Sequence, residues 1–245
     1  MVEDRPYFDD EFGGRYILVE PGTFVMGDAK GTRNEKPPHE VYVSEPFFCG
    51  ERPVTQAHWQ AIMLTNPSAF TEGWAAGLRP VEQVSWDDVQ DFISQLNKRD
   101  IDTERLGVKG VWRLPSEAEW EFLARAGTTT RWAFGDRDSD LNDHGWHAGN
   151  AGASTREVGQ KKANPWGFLD LHGQVSEWCQ DSFVPDYSSH NGTQQAVHVS
   201  SASKKVHRGG SWFTESDSTR CSSRGSAQTT LQSDGIGLRL VWQPL

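Results

Sequence analysis

The sequence predicts an α+β fold, one irregular domain with few helices and much loop. Three observations carry that reading. Helix start signals precede only three segments, all in the first half of the chain. From Gly127 onward, short apolar pieces are broken by Gly, Asn, Asp and Pro, and no long helix is expected. Eleven Trp stand against four Tyr in 245 residues. Such a count points to a core of large aromatic side chains in place of long regular elements. No internal repeat, low-complexity tract or linker divides the chain, so one domain is expected over 15–245, after a mobile lead-in at 1–14.

Taken in order, Arg15 to Gly27 holds two apolar runs around Pro21-Gly22 and reads as a hairpin. His39 to Phe48 begins with alternation and reads as a strand. Thr55 is placed to cap a short helix, QAHWQAIM. A long loop runs from Asn66 to Val81. Ser85 caps WDDVQDFISQLNKR, where Asp87 and Asp88 sit in the first turn, favourably for the helix dipole. Trp86, Val89, Phe92, Ile93 and Leu96 give that helix one apolar face. Ser116 with Glu119 forms a capping box, and Gly127 closes the third helix.

The bulk properties narrow the functional classes. No apolar run approaches the ~20 residues of a membrane helix, and the acidic start MVEDRPYFDDEFGG is no secretory signal. The cytoplasm is therefore expected, with display on a cell or virion surface left open. A net charge of −10 excludes non-specific nucleic-acid binding, which needs basic surface. Cys49, Cys179 and Cys221 lack metal-type spacing and are expected to be free thiols.

The last forty residues organise the rest. Arg208-Gly209-Gly210-Ser211-Trp212 and Gly235-Ile236-Gly237-Leu238-Arg239-Leu240 bracket a polar stretch in which eleven of the twenty-four residues from Ser211 to Asp234 are Ser or Thr. Hydroxyls in a core need partners, so this composition reads as a loop-rich surface between two anchors, where binding residues concentrate. The expected contact residues are Trp212, Phe213, Thr214, Glu215, Ser216, Asp217, Ser218, Thr219, Ser222, Ser226, Gln228, Thr230 and Gln232. Trp212 would form the wall or floor of the site, and Trp242 would lie in the core. Arg208, Arg224 and Arg239 are expected to tie loops together through carboxylates or carbonyls.

Eight strings occur in order: GTFVMG (22–27), PVTQAHW (53–59), NPSAF (66–70), RPVEQVSWDDVQDF (79–92), RLPSEAEWEFLARAG (113–127), NPWGFLDLHGQVSEW (164–178), HRGGSW (207–212) and GIGLRL (235–240). Together they closely resemble the formylglycine-generating-enzyme-like (sulfatase-modifying factor) family. The resemblance implies a single C-type-lectin-type domain. Catalytic members hold copper through two cysteines shortly after the GGSW/Y segment. The matching stretch here, Phe213 to Arg220, has no Cys, and Cys221 stands alone. Thiolates select soft ions such as Cu(I), and the hydroxyls of Thr214 or Ser218 are no substitute. A second branch, similar to the sulfoxide synthases of ergothioneine biosynthesis, takes iron ligands partly from a helical domain expected to be missing here. His144 and His147 lie at i, i+3 in a Gly- and Asn-rich loop and are expected to be hydrogen-bonded or solvated. Neither copper nor iron is expected.

A third branch resembles the variable proteins of diversity-generating retroelements of prokaryotes and phage, which display a hypervariable C-terminal surface on this scaffold. There, substitution of adenines in Asn-type codons yields Ser, Thr, Asp, Gly and Ala. Residues 214–234 are rich in these and contain no Asn, whereas Glu215, Gln228 and Gln232 would be template residues. The reading is a non-catalytic protein that binds a protein or glycan through residues 213–234, within a candidate variable region at 207–240. The alternative is a metal-dependent oxidase or maturation enzyme with an altered active site. The resemblance also implies a structural calcium ion held by the side chains of Asp170 and Glu177 and the carbonyls of Gly173 and Val175. Oxygen ligands of this kind suit calcium. With the ion missing, Glu177 would pair with an Arg such as Arg208. The family's other calcium site, near Asn150 and Ala151, is left open.

Overall fold

The computed structural model describes residues 3–245. Among them, twelve strands and four α-helices are joined by long connections. The strands of the first half are β1 (Tyr7–Asp9), β2 (Arg15–Val19), β3 (Gly22–Met26), β4 (His39–Val43), β5 (Phe47–Gly50), β6 (Glu104–Arg105) and β7 (Val108–Arg113). Those of the second half are β8 (Ser176–Ser182), β9 (Lys204–Arg208), β10 (Arg224–Gln228), β11 (Ile236–Gly237) and β12 (Val241–Pro244). The helices are α1 (Gln56–Met63), α2 (Trp86–Arg99), α3 (Glu117–Arg125) and the single turn α4 (Leu141–His144).

A six-stranded sheet runs β1-β2-β5-β12-β7-β6, so the C-terminal strand lies in its middle, between β5 and β7. A four-stranded sheet runs β10-β9-β8-β11, and β3 pairs with β4 alone. The three expected helices form where their caps predict. Thr55 Oγ1 accepts from His58 N at 3.2 Å, and Ser85 and Ser116 close capping boxes with Asp88 and Glu119. One face of α2 buries Val89, Phe92, Ile93 and Leu96 against Trp59, Trp112 and Trp178. Trp242 is buried in the same cluster.

The N-terminal expectations need correction. Met1 and Val2 lie outside the described residues, but most of the expected lead-in is structured. β1 pairs with β2, and Phe8 is buried, stacked on Tyr16 at 5.1 Å and edge-on to Trp242 at 5.5 Å. Arg15 to Gly27 is not a hairpin. β2 joins the large sheet while β3 crosses to pair with β4, because Pro21-Gly22 redirects the chain and does not fold it back. The expected strand at His39–Phe48 is two strands, β4 and β5, in different sheets.

Helix α3 is the electrostatic centre of the fold. All nine of its residues are buried, including three glutamates and Arg125. Buried ions cost several kcal/mol each unless paired and hydrogen-bonded, and here they are paired. Glu119 takes two bonds from Arg113, at 2.6 and 2.7 Å. Glu121 bonds Arg125 and Arg208, and Glu117 accepts a bidentate fork from Arg224 at 2.6 and 2.7 Å. The expected structural roles of Arg208 and Arg224 are realised through this helix.

Candidate functional site

The stretch after β9 is set by two glycines. Gly209 (φ +97°) and Gly210 (φ +69°) adopt backbone that L side chains rarely take. A Cβ on Gly210 would also lie 2.8 Å from Thr214 Oγ1 and 2.9 Å from Thr219 Cγ2. This tight corner brings Trp212 N to the Gln174 carbonyl at 2.9 Å and allows Thr214 Oγ1 to accept from Ser211 N at 2.8 Å.

From the corner, residues 213–218 form an outer turn held by the 131–148 region. Ala148 N donates to Thr214 O at 3.0 Å, Ser216 Oγ reaches Asp138 at 3.2 Å, and Arg131 pairs with Asp217. Arg220 then turns inward, donating to Glu35 at 2.8 and 3.0 Å and to the Asp217 carbonyl at 2.9 Å. Burial pushes the Glu35 carboxyl up, but bonds from Arg220, Ser222 and Thr32 outweigh it and hold the group at about 2.

Past Arg220 the stretch is less loop-like than its composition implies. Residues Arg224 to Gln228 are strand β10, paired with β9 along its length. The chain leaves β10 onto the start of α2, where Asp87 N donates to Thr229 O at 3.2 Å and Gln232 reaches Asp88 at 3.0 Å. Trp212 joins the two halves. Its Nε1 donates to the Asp234 carbonyl at 3.0 Å, and its ring meets Phe70 and Phe213 edge-on at 5.3 and 4.9 Å.

The expected contact residues separate by exposure. Phe213, Glu215, Asp217, Ser218, Gln228, Thr230 and Gln232 are exposed, and Trp212, Thr214, Ser216 and Ser226 are half-buried. Thr219 and Ser222 are corrections, because both are buried. Thr219 Oγ1 accepts from Trp132 Nε1 at 2.9 Å and donates to the Ser216 carbonyl at 2.8 Å, while Ser222 Oγ accepts from Arg220 at 2.8 Å. Leu231, at 45 % exposure, joins the outer face without having been picked out in the sequence. A concavity of about 580 Å³ places Asp217, Ser218 and Ser223 beside Arg33 and Asn34. A cleft of about 660 Å³ lined by Phe24, Phe122 and Thr128 to Arg131 touches the stretch only at Ser222.

The three cysteines are free and buried. Burial pushes the Cys221 thiol up to about 12 and raises Cys49 and Cys179 as well, so none offers a thiolate at neutral pH. His147 is hydrogen-bonded to Asn142 at 3.1 Å, and His144 stacks on Phe134 at 4.3 Å. Among the described residues no three His, Cys, Asp or Glu side chains gather around a common point.

The segment Asp170–Glu177 is buried throughout. Glu177 pairs with Arg239 and not with Arg208, accepting at 2.7 and 3.0 Å, and also accepts from Trp120 Nε1 at 2.7 Å. Its Oε1 carries one of these bonds and keeps a lone pair. Asp170 Oδ2 accepts from Gly159 N at 2.7 Å, whereas Oδ1 is buried with no hydrogen-bond partner. An orphaned carboxylate oxygen beside a second carboxylate fits a hard cation as the missing partner.

Comparison with known proteins places this geometry. A family model described as sulfatase-modifying factor enzyme 1-like domain matches residues 9–244. The chaperone protein LppX of Paenibacillus barcinonensis is 27% identical, over 92% of this chain and 88% of that protein. The formylglycine-generating enzyme of Streptomyces coelicolor is 26% identical, over 91% of this chain and 87% of its own. The chain spans about a third (36%) of the serine/threonine-protein kinase pkn1 of Chlamydia caviae, at 26% identity over 91% of its own length. Among solved structures, Treponema denticola variable protein 1 superposes with a TM-score of 0.85 at 28% identity, covering 94% of this chain and 95% of that one. PvdO from Pseudomonas aeruginosa shares the fold, with a TM-score of 0.86 at 22% identity over 99% of this chain and 100% of that one. The fold is the irregular, C-type-lectin-like α+β domain that the motifs imply.

Proposed function

This chain belongs to the sulfatase-modifying factor enzyme 1-like family, and from that premise we propose that it is a non-catalytic binding member, displaying the exposed side chains of residues 213–234 to a protein or glycan ligand. The observation that carries the reading is the division within one short stretch. Side chains that turn inward are locked by Trp132, Glu35 and Glu117, whereas Glu215, Gln228 and Thr230 face outward with no side-chain hydrogen bond among those described. Exposed hydroxyls and amides on a rigid frame give adaptable hydrogen bonding, as in antibody paratopes. The likeness to a protein described as variable supports the same reading.

An oxidase would need a soft-metal ligand pair after Trp212. Thr214 to Thr219 supply only hydroxyls and carboxylates, and the three thiols are buried and protonated. Asp170, Glu177 and the carbonyls of Gly173 and Val175 would hold a structural calcium ion, which would give Asp170 Oδ1 its partner and fix the turn on which Gln174 receives Trp212.

Deep sequencing of codons 207–245 across many cells of the source population tests the display reading. Substitutions confined to exposed positions between Trp212 and Ile236 are expected. A uniform sequence would overturn the variable form of the reading, and stoichiometric copper or iron in the purified protein would restore the enzyme.

A further inference from the structure

We propose that Asn191-Gly192 is a self-processing deamidation site, in which His190 acts as the base and Thr193 stabilises the developing oxyanion. The loop between β8 and β9 carries Ser189-His190-Asn191-Gly192-Thr193. The Gly192 peptide N–H, the nucleophile in succinimide formation, donates to His190 Nδ1 at 3.1 Å. The electrophile is the Asn191 side-chain amide. Its Oδ1 accepts from both Thr193 N, at 3.2 Å, and Thr193 Oγ1, at 2.9 Å. A base on the nucleophile's proton and two donors on the carbonyl oxygen are the groups that amide attack needs.

The surroundings hold these groups in place. The His190 ring packs against His39 at 4.5 Å and Tyr187 at 5.9 Å. Burial, with His39 beside it, lowers the His190 imidazole to about 4, so the ring is neutral at neutral pH, with Nδ1 open to the Gly192 proton but weaker as a base than a free imidazole. On the other side, Gly192 O accepts from Tyr42 N at 2.9 Å, and Thr193 forms a β-bridge with Tyr42. Gly192 has φ +71°, and a Cβ there would meet the Glu40 carbonyl at 3.0 Å, so the position demands glycine and leaves its nitrogen unshielded. Asn191 itself is exposed, and water and departing ammonia have free access.

The step balances without a cofactor. The Gly192 N–H proton passes to His190 Nδ1 as the nitrogen bonds to Asn191 Cγ. The resulting oxyanion rests on the two Thr193 donors. As it collapses, the Cγ–Nδ2 bond breaks and His190 returns the proton to the leaving ammonia. Water then opens the five-membered imide at either carbonyl, giving aspartate or isoaspartate.

The test is peptide mapping by mass spectrometry after incubation of the full folded chain in heavy-oxygen water. The urea-unfolded chain and the variants His190→Phe and Thr193→Val run in parallel. Asn191 is expected to convert at least about tenfold faster in the folded chain than in the unfolded one, with His190→Phe removing that advantage. Thr193→Val should slow conversion several-fold. Phe keeps the stack on His39 and Tyr187, so the variant tests the lone pair and not the packing. A folded chain that converts no faster than the unfolded chain overturns the proposal, whatever the variants do. Equal rates in wild type and a folded His190→Phe protein overturn the role of His190.

Discussion

Arg220 and Glu35 meet fork to fork inside the protein, Nη1 to Oε2 at 2.8 Å and Nη2 to Oε1 at 3.0 Å. This pair ties the outer turn at 213–219 to the segment just before β4. Glu35→Gln should destabilise the fold by about 2 kcal/mol at neutral pH, the scale of a charge-assisted hydrogen bond. The carboxyl sits at about 2 in the folded chain, below its ordinary 4.5. Its contribution is therefore complete above pH 4.5 and is lost as pH falls towards 2. Urea unfolding of both proteins across that window should show the gap closing on acidification. A gap independent of pH would mean that the pair does not hold the turn.

Arg239 is fully buried, and Glu177 is its sole carboxylate partner among the described residues. Removing the charge on Glu177 should cost about 3–5 kcal/mol, because it strands a guanidinium in the core. Pairing Glu177→Gln with Arg239→Met should recover much of that loss. Thermal unfolding of the single and double variants, in a chelator so that no ion contributes, gives the comparison. A double variant as unstable as the sum of the single changes would show that the two side chains act independently.

Calcium at Asp170 makes a separate prediction. At a hundredfold excess over its dissociation constant, a ligand confined to the folded state adds about 2.7 kcal/mol of stability. Calcium should raise the melting temperature of the wild type and leave Asp170→Ala unmoved. Equal shifts in both proteins, or none in the wild type, would remove the ion from this site.

How far the sequence anticipated this arrangement depends on the range of each interaction. The caps at Thr55, Ser85 and Ser116 were legible because a cap is a contact between residues three apart. The structural roles of the arginines were legible because a buried guanidinium must be paired. Which carboxylate pairs with which arginine was not, since Glu177 is 62 residues from Arg239 and Glu35 is 185 from Arg220. Phe8 shows the same limit at the N-terminus. An aromatic residue in a short acidic run signals little locally, yet it lies between Tyr16 and Trp242 once the last strand arrives. Thr219 and Ser222 were misplaced because their hydroxyls read as solvent-facing, and their partners, Trp132 and Arg220, emerge only from the folded turn.

That last distinction yields the sharpest prediction for the proposed binding face. Glu215, Gln228 and Thr230 are exposed and make no side-chain hydrogen bond among those described, so Ala at any of them should change stability by no more than about 0.5 kcal/mol. Thr219→Val keeps the shape but strands the buried Trp132 Nε1 donor, a loss of about 1–3 kcal/mol. A library randomised at the three exposed positions should therefore yield mostly folded, protease-resistant chains. One randomised at Thr219, Arg220 and Ser222 should not. Equal survival of the two libraries would erase the boundary between frame and display on which the proposed function rests.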